Sequence, residues 1–383
     1  MTCLFTTSLH LRRKTVMSNA AKVTVVIPNY NGLKFMEPCF KALEMQICRD
    51  FEILVVDNGS GDGSVEWLKE HEIPSIFLET NTGFSGAVNV GIRASKTPYV
   101  ILLNNDTEPD CHYIGEMIKA IERSPKIFSV SSKMIQLYDH SKMDDAGDMY
   151  TLMGWAFQRG VGRPSGGYNR VFRVFSACAG AAIYRREVFE TIGYFDEMHF
   201  AYLEDIDVGY RARIYGYDNI YCPTAVVYHV GSGTSGSRYN SFKVRLAARN
   251  NVYLNYKNMP LFQLVLNSLP LGLGILVKYA FFRKIGFGKD YIDGLKEGFK
   301  TAKQCRKVKY DKKHLKNYLA IEWGYVPEPC CISGNFWRDR RQNCEFSHYI
   351  FLFPSFMKTR STNFIIILRE KLWNNGNVSC IMF

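Results

Sequence analysis

The sequence predicts an α/β protein built on a mixed, mainly parallel sheet flanked by helices. Three observations predict it. Apolar runs of strand length alternate with stretches of helical spacing up to Leu103, the rhythm of a parallel sheet with helices on both faces. The main runs end in polar residues that include carboxylates. With 383 residues, 47% hydrophobic and 14% aromatic, the chain can bury one large domain plus an appendage.

Val23-Thr24-Val25-Val26-Ile27 is an apolar run closed by Pro28-Asn29-Tyr30-Asn31-Gly32, a buried strand running into a loop. Leu33 to Gln46 has helical spacing. Phe51 to Val56 is a second strand, ending in Asp57-Asn58-Gly59-Ser60, and a helix follows from about Gly63 to His71. Ile76 to Leu78 is a short strand and Phe84 to Ser95 another helix. Tyr99 to Leu103 is a further strand, ending in Asn104-Asn105-Asp106. In such sheets ligands bind beyond the carboxyl ends of the strands, where these polar residues collect. The bland alternative is ordinary polar loops.

The second half is less regular. Gly154 to Gly167 reads as a glycine-rich loop or hairpin, Cys178 to Tyr184 as a strand of small residues, and Glu187 to Ile192 as a short helix. Glu204-Asp205-Ile206-Asp207 then places three carboxylates in four positions within an apolar, aromatic neighbourhood. A buried carboxylate is costly unless it is paired, binds metal or does chemistry. On a helix Glu204 and Asp207 share a face, Asp207 reaches Arg211, and Asp205 points elsewhere. A solvated helix start is the competing reading. Strands follow at Asn219 to Cys222 and Ala225 to Tyr228, then His229 and a Gly-Ser loop through Ser237.

After Pro260 the character changes. Leu261 to Phe282 is apolar but interrupted by Gln263, Asn267, Pro270 and Lys278, which suits an in-plane or re-entrant segment better than a spanning helix. A core helix pair with a basic solvent face is the alternative. Of the formal charge of +12, +8 comes from Arg283 to Lys316, with twelve Lys or Arg against four Asp or Glu. That stretch would meet anionic lipid headgroups. The main domain, left with about +4, has no nucleic-acid-binding surface by composition.

Eleven cysteines without a repeating or zinc-ribbon spacing favour a reduced, cytoplasmic compartment. The N-terminus has its charges after its apolar residues, unlike a secretory signal, and Met17 is an alternative start. The expected organisation is an N-terminal extension (1–21), a main domain (22–258), an apolar and basic helical extension (259–322) and a tail of no evident period (323–383).

Taken together, Val25-Val26-Ile27-Pro28-Asn29-Tyr30-Asn31-Gly32, Val55-Val56-Asp57-Asn58-Gly59-Ser60, Asn81-Thr82-Gly83-Phe84 with Asn89-Val90-Gly91, Leu103-Asn104-Asn105-Asp106 and Glu204-Asp205-Ile206-Asp207 resemble the family 2 glycosyltransferases, in their rhamnosyltransferase-like branch. The resemblance spans Lys22 to Asn258 and implies the GT-A fold, with a nucleotide-sugar half and an acceptor half. It implies an inverting transfer from a dTDP- or UDP-sugar to a hydroxyl of a lipid-linked glycan, at the cytoplasmic face of a membrane touched through the C-terminal segment.

The resemblance also implies roles. Asp57 would read the base or ribose, with Pro28, Asn29, Tyr30 and Asn58 around it; capping of the following turn is the alternative for Asp57. Asn81, Gly83 and Asn89 would pass beneath the nucleotide. Asn105 and Asp106 occupy the place of the DXD metal motif, of which this chain keeps one carboxylate. Mg2+ or Mn2+ can be held by one or two carboxylates plus donor phosphates. His229 would be a second metal ligand or a diphosphate contact, or else structural. Asp205 would be the catalytic base, with Glu204 as the other candidate. Two further classes remain: a nucleotidyltransferase, which would require a glycine-rich phosphate loop after the first strand, and a binding module that has lost catalysis.

Overall fold

A computed structural model describes residues 21–231 and 239–325. The first 20 residues, the Gly-Ser segment 232–238 and the tail from 326 onward lie outside the described residues, and with them Cys3, Cys330, Cys331, Cys344 and Cys380. The six cysteines within them, Cys39, Cys48, Cys111, Cys178, Cys222 and Cys305, form no disulfide.

The chain opens with β1 (Val23–Asn29), α1 (Leu33–Glu44), β2 (Phe51–Asp57), α2 (Ser64–Glu70), β3 (Ser75–Phe77), α3 (Gly83–Ala94) and β4 (Tyr99–Leu103), the order expected from the sequence. There follow β5 (Thr107–Pro109), α4 (Tyr113–Ile121), β6 (Ile127–Gln136), β7 (Met143–Asp145), β8 (Asp148–Tyr150), β9 (Ala156–Gln158), β10 (Phe172–Val174), β11 (Ala181–Arg185) and α5 (Val188–Ile192). The remainder is α6 (Glu204–Ile214), β12 (Asp218–His229), α7 (Ser241–Asn258), α8 (Leu261–Leu266), α9 (Ser268–Lys284), α10 (Gly288–Thr301) and α11 (Leu315–Tyr325).

One sheet runs β10-β12-β6-β11-β4-β1-β2-β3, with β5 and β7 paired to β12 and β6. The pairs β1-β2, β1-β4, β2-β3 and β6-β12 are parallel, while β11 is antiparallel to both its neighbours. The sheet is therefore mixed and mainly parallel along its path, as predicted. Successive side chains of a strand point to opposite faces. Val25 and Ile27 of β1 and Ile101 and Leu103 of β4 pack with Met36, Leu43, Tyr113 and Met117 of α1 and α4. Val26, Val100 and Leu102 face the other way, onto Val88, Ile92, Phe189 and Val208 of α3, α5 and α6. The two expected strands at 219–222 and 225–228 are one strand, β12, whose ladder to β6 shifts register between Tyr221 and Val226. Pro223 lies in that gap, where a residue without an N–H interrupts the ladder least.

β2 and β3 extend from β1 on one side and β4 on the other, so the strand order reverses between β1 and β4. Such a switch point opens a crevice at the carboxyl ends of the strands. After Pro260 the chain forms α8 and α9 in succession. Gln263, Lys278 and Phe282 are buried against the domain, and the Trp155 indole donates to the Gly274 carbonyl at 3.2 Å. Among the described residues no helix is long and apolar enough to cross a membrane.

Candidate active site

The parallel register sets Asn29 beside Asp57, and β4 brings the loop after Leu103 to the other side of Asn29. The Asn29 amide bridges all three strand ends. Its Nδ2 donates to Asp57 Oδ2 at 2.7 Å and to Ser60 Oγ at 3.2 Å, and its Oδ1 accepts from Asn105 Nδ2 at 2.6 Å. A Cβ at Gly32 would overlap the Asn105 amide, so only glycine fits beside this bridge. Asp57 is fully buried, and its Oδ1 accepts the Ser60 N–H at 3.0 Å, so the turn-capping alternative is met. Tyr30 stands exposed and Pro28 half-buried at the mouth of this cluster.

Three residues expected to touch a nucleotide have other employment. Asn89 is buried; its amide donates to the Phe195 carbonyl at 2.8 Å and accepts the Phe195 N–H at 3.0 Å. It pins the segment ahead of α6. Asn58 is buried and uses its amide on Asn81 Oδ1 and the Gly83 carbonyl, both at 3.0 Å, and on the Thr82 N–H at 2.9 Å. It shapes the Asn81–Gly83 turn, in which Asn81 Oδ1 accepts the Gly83 N–H at 2.8 Å. Gly83 has φ +78° and packs where a Cβ would strike Phe200. Its freedom serves close contact with that loop.

Asp106 lies one residue beyond Asn105. β5 pairs antiparallel with the end of β12, setting His229 opposite Thr107. His229 Nε2 is 3.2 Å from Asp106 Oδ1, and its Nδ1 is 2.7 Å from Asp144 Oδ2. Burial works against charge on His229, but the hydrogen bonds and charges of Asp106 and Asp144 outweigh it and raise its pKa to about 10. As it stands the trio is an ion pair with both imidazole nitrogens protonated, and a divalent ion would fit between Asp106 and His229 by displacing the Nε2 proton. A carboxylate oxygen and an imidazole nitrogen face each other, and the second nitrogen is held by a carboxylate, the arrangement that orients a metal-binding histidine. Asp144 was not singled out from the sequence; it stands on a three-residue strand without a legible period.

Next to Asp144 begins a crowd of acids. Asp145 and Asp148 are buried, as is Glu204, while Asp205 keeps an edge open to solvent. Burial foremost, with the charges of Asp144 and Asp205 and against the Gly147 N–H, pushes the Asp145 carboxyl up to about 7. Burial, then the Asp205 charge, pushes Asp148 and Glu204 well above the usual carboxylate range. Burial raises Asp205 too, opposed by the N–H groups of Ile206 and Ala179 and by Asp148.

Asp207 behaves oppositely. Burial raises its pKa, but Arg211 and Lys257 hold it far below the usual range. Its Oδ2 accepts from Arg211 Nη2 and from Lys257 Nζ, both at 2.8 Å, and its Oδ1 from Asn258 Nδ2 at 2.7 Å. Arg211 also donates to the carbonyls of Ile192, Gly193 and Tyr194. Removing one partner from a buried pair of this kind costs about 3–5 kcal/mol, so Asp207 anchors α6.

The segment leading into α6 is strained: Phe200, Tyr202 and Leu203 have φ of 62°, 72° and 66°. Such backbone costs about 1–3 kcal/mol per residue and persists only where the surroundings impose it. Asn250 imposes it, its Nδ2 donating to the carbonyls of His199, Ala201 and Tyr202 at 2.9, 2.8 and 2.7 Å. Arg249 adds bonds to the Met198 and His199 carbonyls and an ion pair with Glu297 at 3.1 Å. Together these contacts tie α7 to the segment ahead of α6.

Residues 24–193 match the model of glycosyl transferase family 2. That match covers a little under half of the 383 residues and falls on the α/β part of the chain, from β1 to the end of α5. It is 27% identical to the uncharacterized protein y4gI of Sinorhizobium fredii, over 57% of this chain and 26% of that protein. The low-salt glycan biosynthesis hexosyltransferase Agl10 of Haloferax volcanii is 26% identical over 73% of this chain and 91% of its own. The N-acetylglucosaminyl-diphospho-decaprenol L-rhamnosyltransferase of Mycobacterium tuberculosis is 26% identical over 55% and 77%. This chain thus spans about a quarter of the first relative and most of the other two.

Proposed function

We propose that this protein is an inverting glycosyltransferase that moves a sugar from a nucleoside diphosphate to a hydroxyl of a growing, lipid-linked cell-surface glycan, using a divalent ion. The supporting observation is continuity. Asp57, Asn29 and Asn105 are joined by hydrogen bonds, His229 joins Asp106 to Asp144, and the next residue, Asp145, lies with Asp148 among the acids around Asp205. Both groups start from the loop that follows β4, through Asn105 and Asp106.

In this reading the mouth at Pro28 and Tyr30 takes the base, and Asp57 offers its remaining lone pairs to base or ribose. Asn105, Asp106 and His229 stand where the diphosphate lies. Mg2+ or Mn2+, held by Asp106 and His229, would neutralise charge on the leaving diphosphate. Asp205 takes the proton from the acceptor hydroxyl as that oxygen bonds to the anomeric carbon and the bond to the diphosphate breaks. Glu204 fits the base role less well, being buried, with Oε2 unpartnered and its neutral form favoured. Asp205 is the partly open one, and N–H groups favour its charged form. Relatives named for rhamnosyl and hexosyl transfer make dTDP-rhamnose and UDP-hexoses the first donors to try. The test is hydrolysis and transfer across purified nucleotide sugars with Mn2+ or Mg2+. One donor should be turned over well above the rest, and turnover of none would reject the reading.

Membrane contact through α8 and α9 belongs to the same proposal. Leu261, Val265, Leu266, Leu269 and Leu276 are 64–74% exposed, and the exposed Arg283 closes α9. Apolar side chains beside basic ones suit a helix lying in the headgroup layer. Leu266→Glu with Leu269→Glu is expected to lower co-sedimentation with anionic vesicles at least fivefold while leaving the fold intact. Equal sedimentation would place the contact elsewhere.

A further inference from the structure

Asp148 has no task in the transfer as described, yet it sits against the base. Its backbone pairs with Ser176, the Asp148 N–H donating to the Ser176 carbonyl at 2.9 Å and the Asp148 carbonyl accepting from the Ser176 N–H at 3.2 Å. The Ser176 hydroxyl donates in turn to the Asp205 carbonyl. Ser176 thus ties the backbone at Asp148 to the backbone at Asp205, and the two carboxyls act on each other across this link. Asp148 Oδ2 is buried without a partner, as are Asp145 Oδ2 and Glu204 Oε2. Two carboxylates side by side are both acceptors and repel. One proton between them removes the repulsion and satisfies the orphaned oxygen.

We propose that Asp148 is held as a neutral carboxylic acid that donates a hydrogen bond to the Asp205 carboxylate, making it the positioning residue of the base. The inference rests on Asp205 being that base. The titratable groups facing Asp148 are Asp145 from β7, Glu204 and Asp205 from α6, and Cys178 and Tyr184 from the β11 region. During transfer the acceptor's proton goes to Asp205, and the electron pair of the breaking bond leaves on the diphosphate oxygen. The Asp148 proton stays on Asp148. Its hydrogen bond favours the ionised form of Asp205, so losing it moves the onset of activity to higher pH.

The test compares Asp148→Asn, Asp148→Ala and Asp205→Asn in the full chain, reading kcat against pH and donor Kd. An amide keeps the donated hydrogen bond, so Asp148→Asn should stay within about tenfold of the native kcat with its acidic limb in place. Asp148→Ala should lose about a hundredfold, with the limb displaced upward and donor Kd unchanged. Equal loss in both variants would overturn the proposal and favour an anion or a cation ligand at Asp148; so would native behaviour of Asp148→Ala. Full activity of Asp205→Asn would instead refute the base assignment. If the alanine variant does not fold, infrared difference spectra of native and Asp148→Asn protein decide: at neutral pH one component of the protonated-carboxyl absorption must be lost with the substitution while that of Glu204 remains, and a difference spectrum with no lost component refutes the proposal.

Discussion

Asp205→Asn is expected to lower kcat by about 10²–10⁴-fold while donor Kd moves less than about threefold. An asparagine matches the carboxylate in shape but cannot take a proton, and the N–H groups of Ile206 and Ala179 still meet an oxygen. The pH profile gives the second signature. Burial raises the Asp205 pKa, so native activity must climb as pH rises through that raised value. A base is competent only when ionised, hence loss lies on the acid side. The residual activity of Asp205→Asn should lack this limb. Initial rates from pH 5 to 9 and calorimetric donor binding check both points. Loss in Glu204→Gln with native rates in Asp205→Asn would move the base by one residue.

Asp106→Ala is expected to have the next largest effect. In the proposed site the ion would then lose one of its two protein ligands, and donor affinity in Mn2+ should fall about 10–100-fold, towards the native value in chelator. His229→Ala should behave alike. Asp144→Asn should weaken Mn2+ binding about tenfold or more without abolishing it, because it orients the imidazole through Nδ1 at 2.7 Å. A structural ion pair predicts something else: lower melting temperatures, with donor binding indifferent to metal. Donor titrations with and without Mn2+ separate the two, and native activity unchanged in chelator would reject the metal role.

Much of this was legible in the sequence because it is local. The strands and helices up to Leu103 follow from hydrophobic period, and polar residues at strand ends follow from how parallel sheets end. Asp207 with Arg211 is a four-residue helical spacing, and it is seen at 2.8 Å. What escaped is what only folding brings together. Lys257 and Asn258 reach Asp207 from fifty residues away, and Asp144, Asp145 and Asp148 lie on or between strands of three residues. β6, buried along nearly its whole length, carries three serines and a lysine among its apolar residues and so shows no continuous apolar run to announce it. Asn58 and Asn89 sit in motif positions, and folding alone shows that their side chains also satisfy buried backbone.

The most direct measurement is a crystal structure of the protein with Mn2+ and the nucleoside diphosphate of the donor that the screen selects. The account predicts the base between Tyr30 and Asp57, the ion on Asp106 and His229, and the terminal phosphate turned towards the open edge of Asp205. A nucleotide bound away from the β1–β4 crevice, or an ion touching neither Asp106 nor His229, would contradict it.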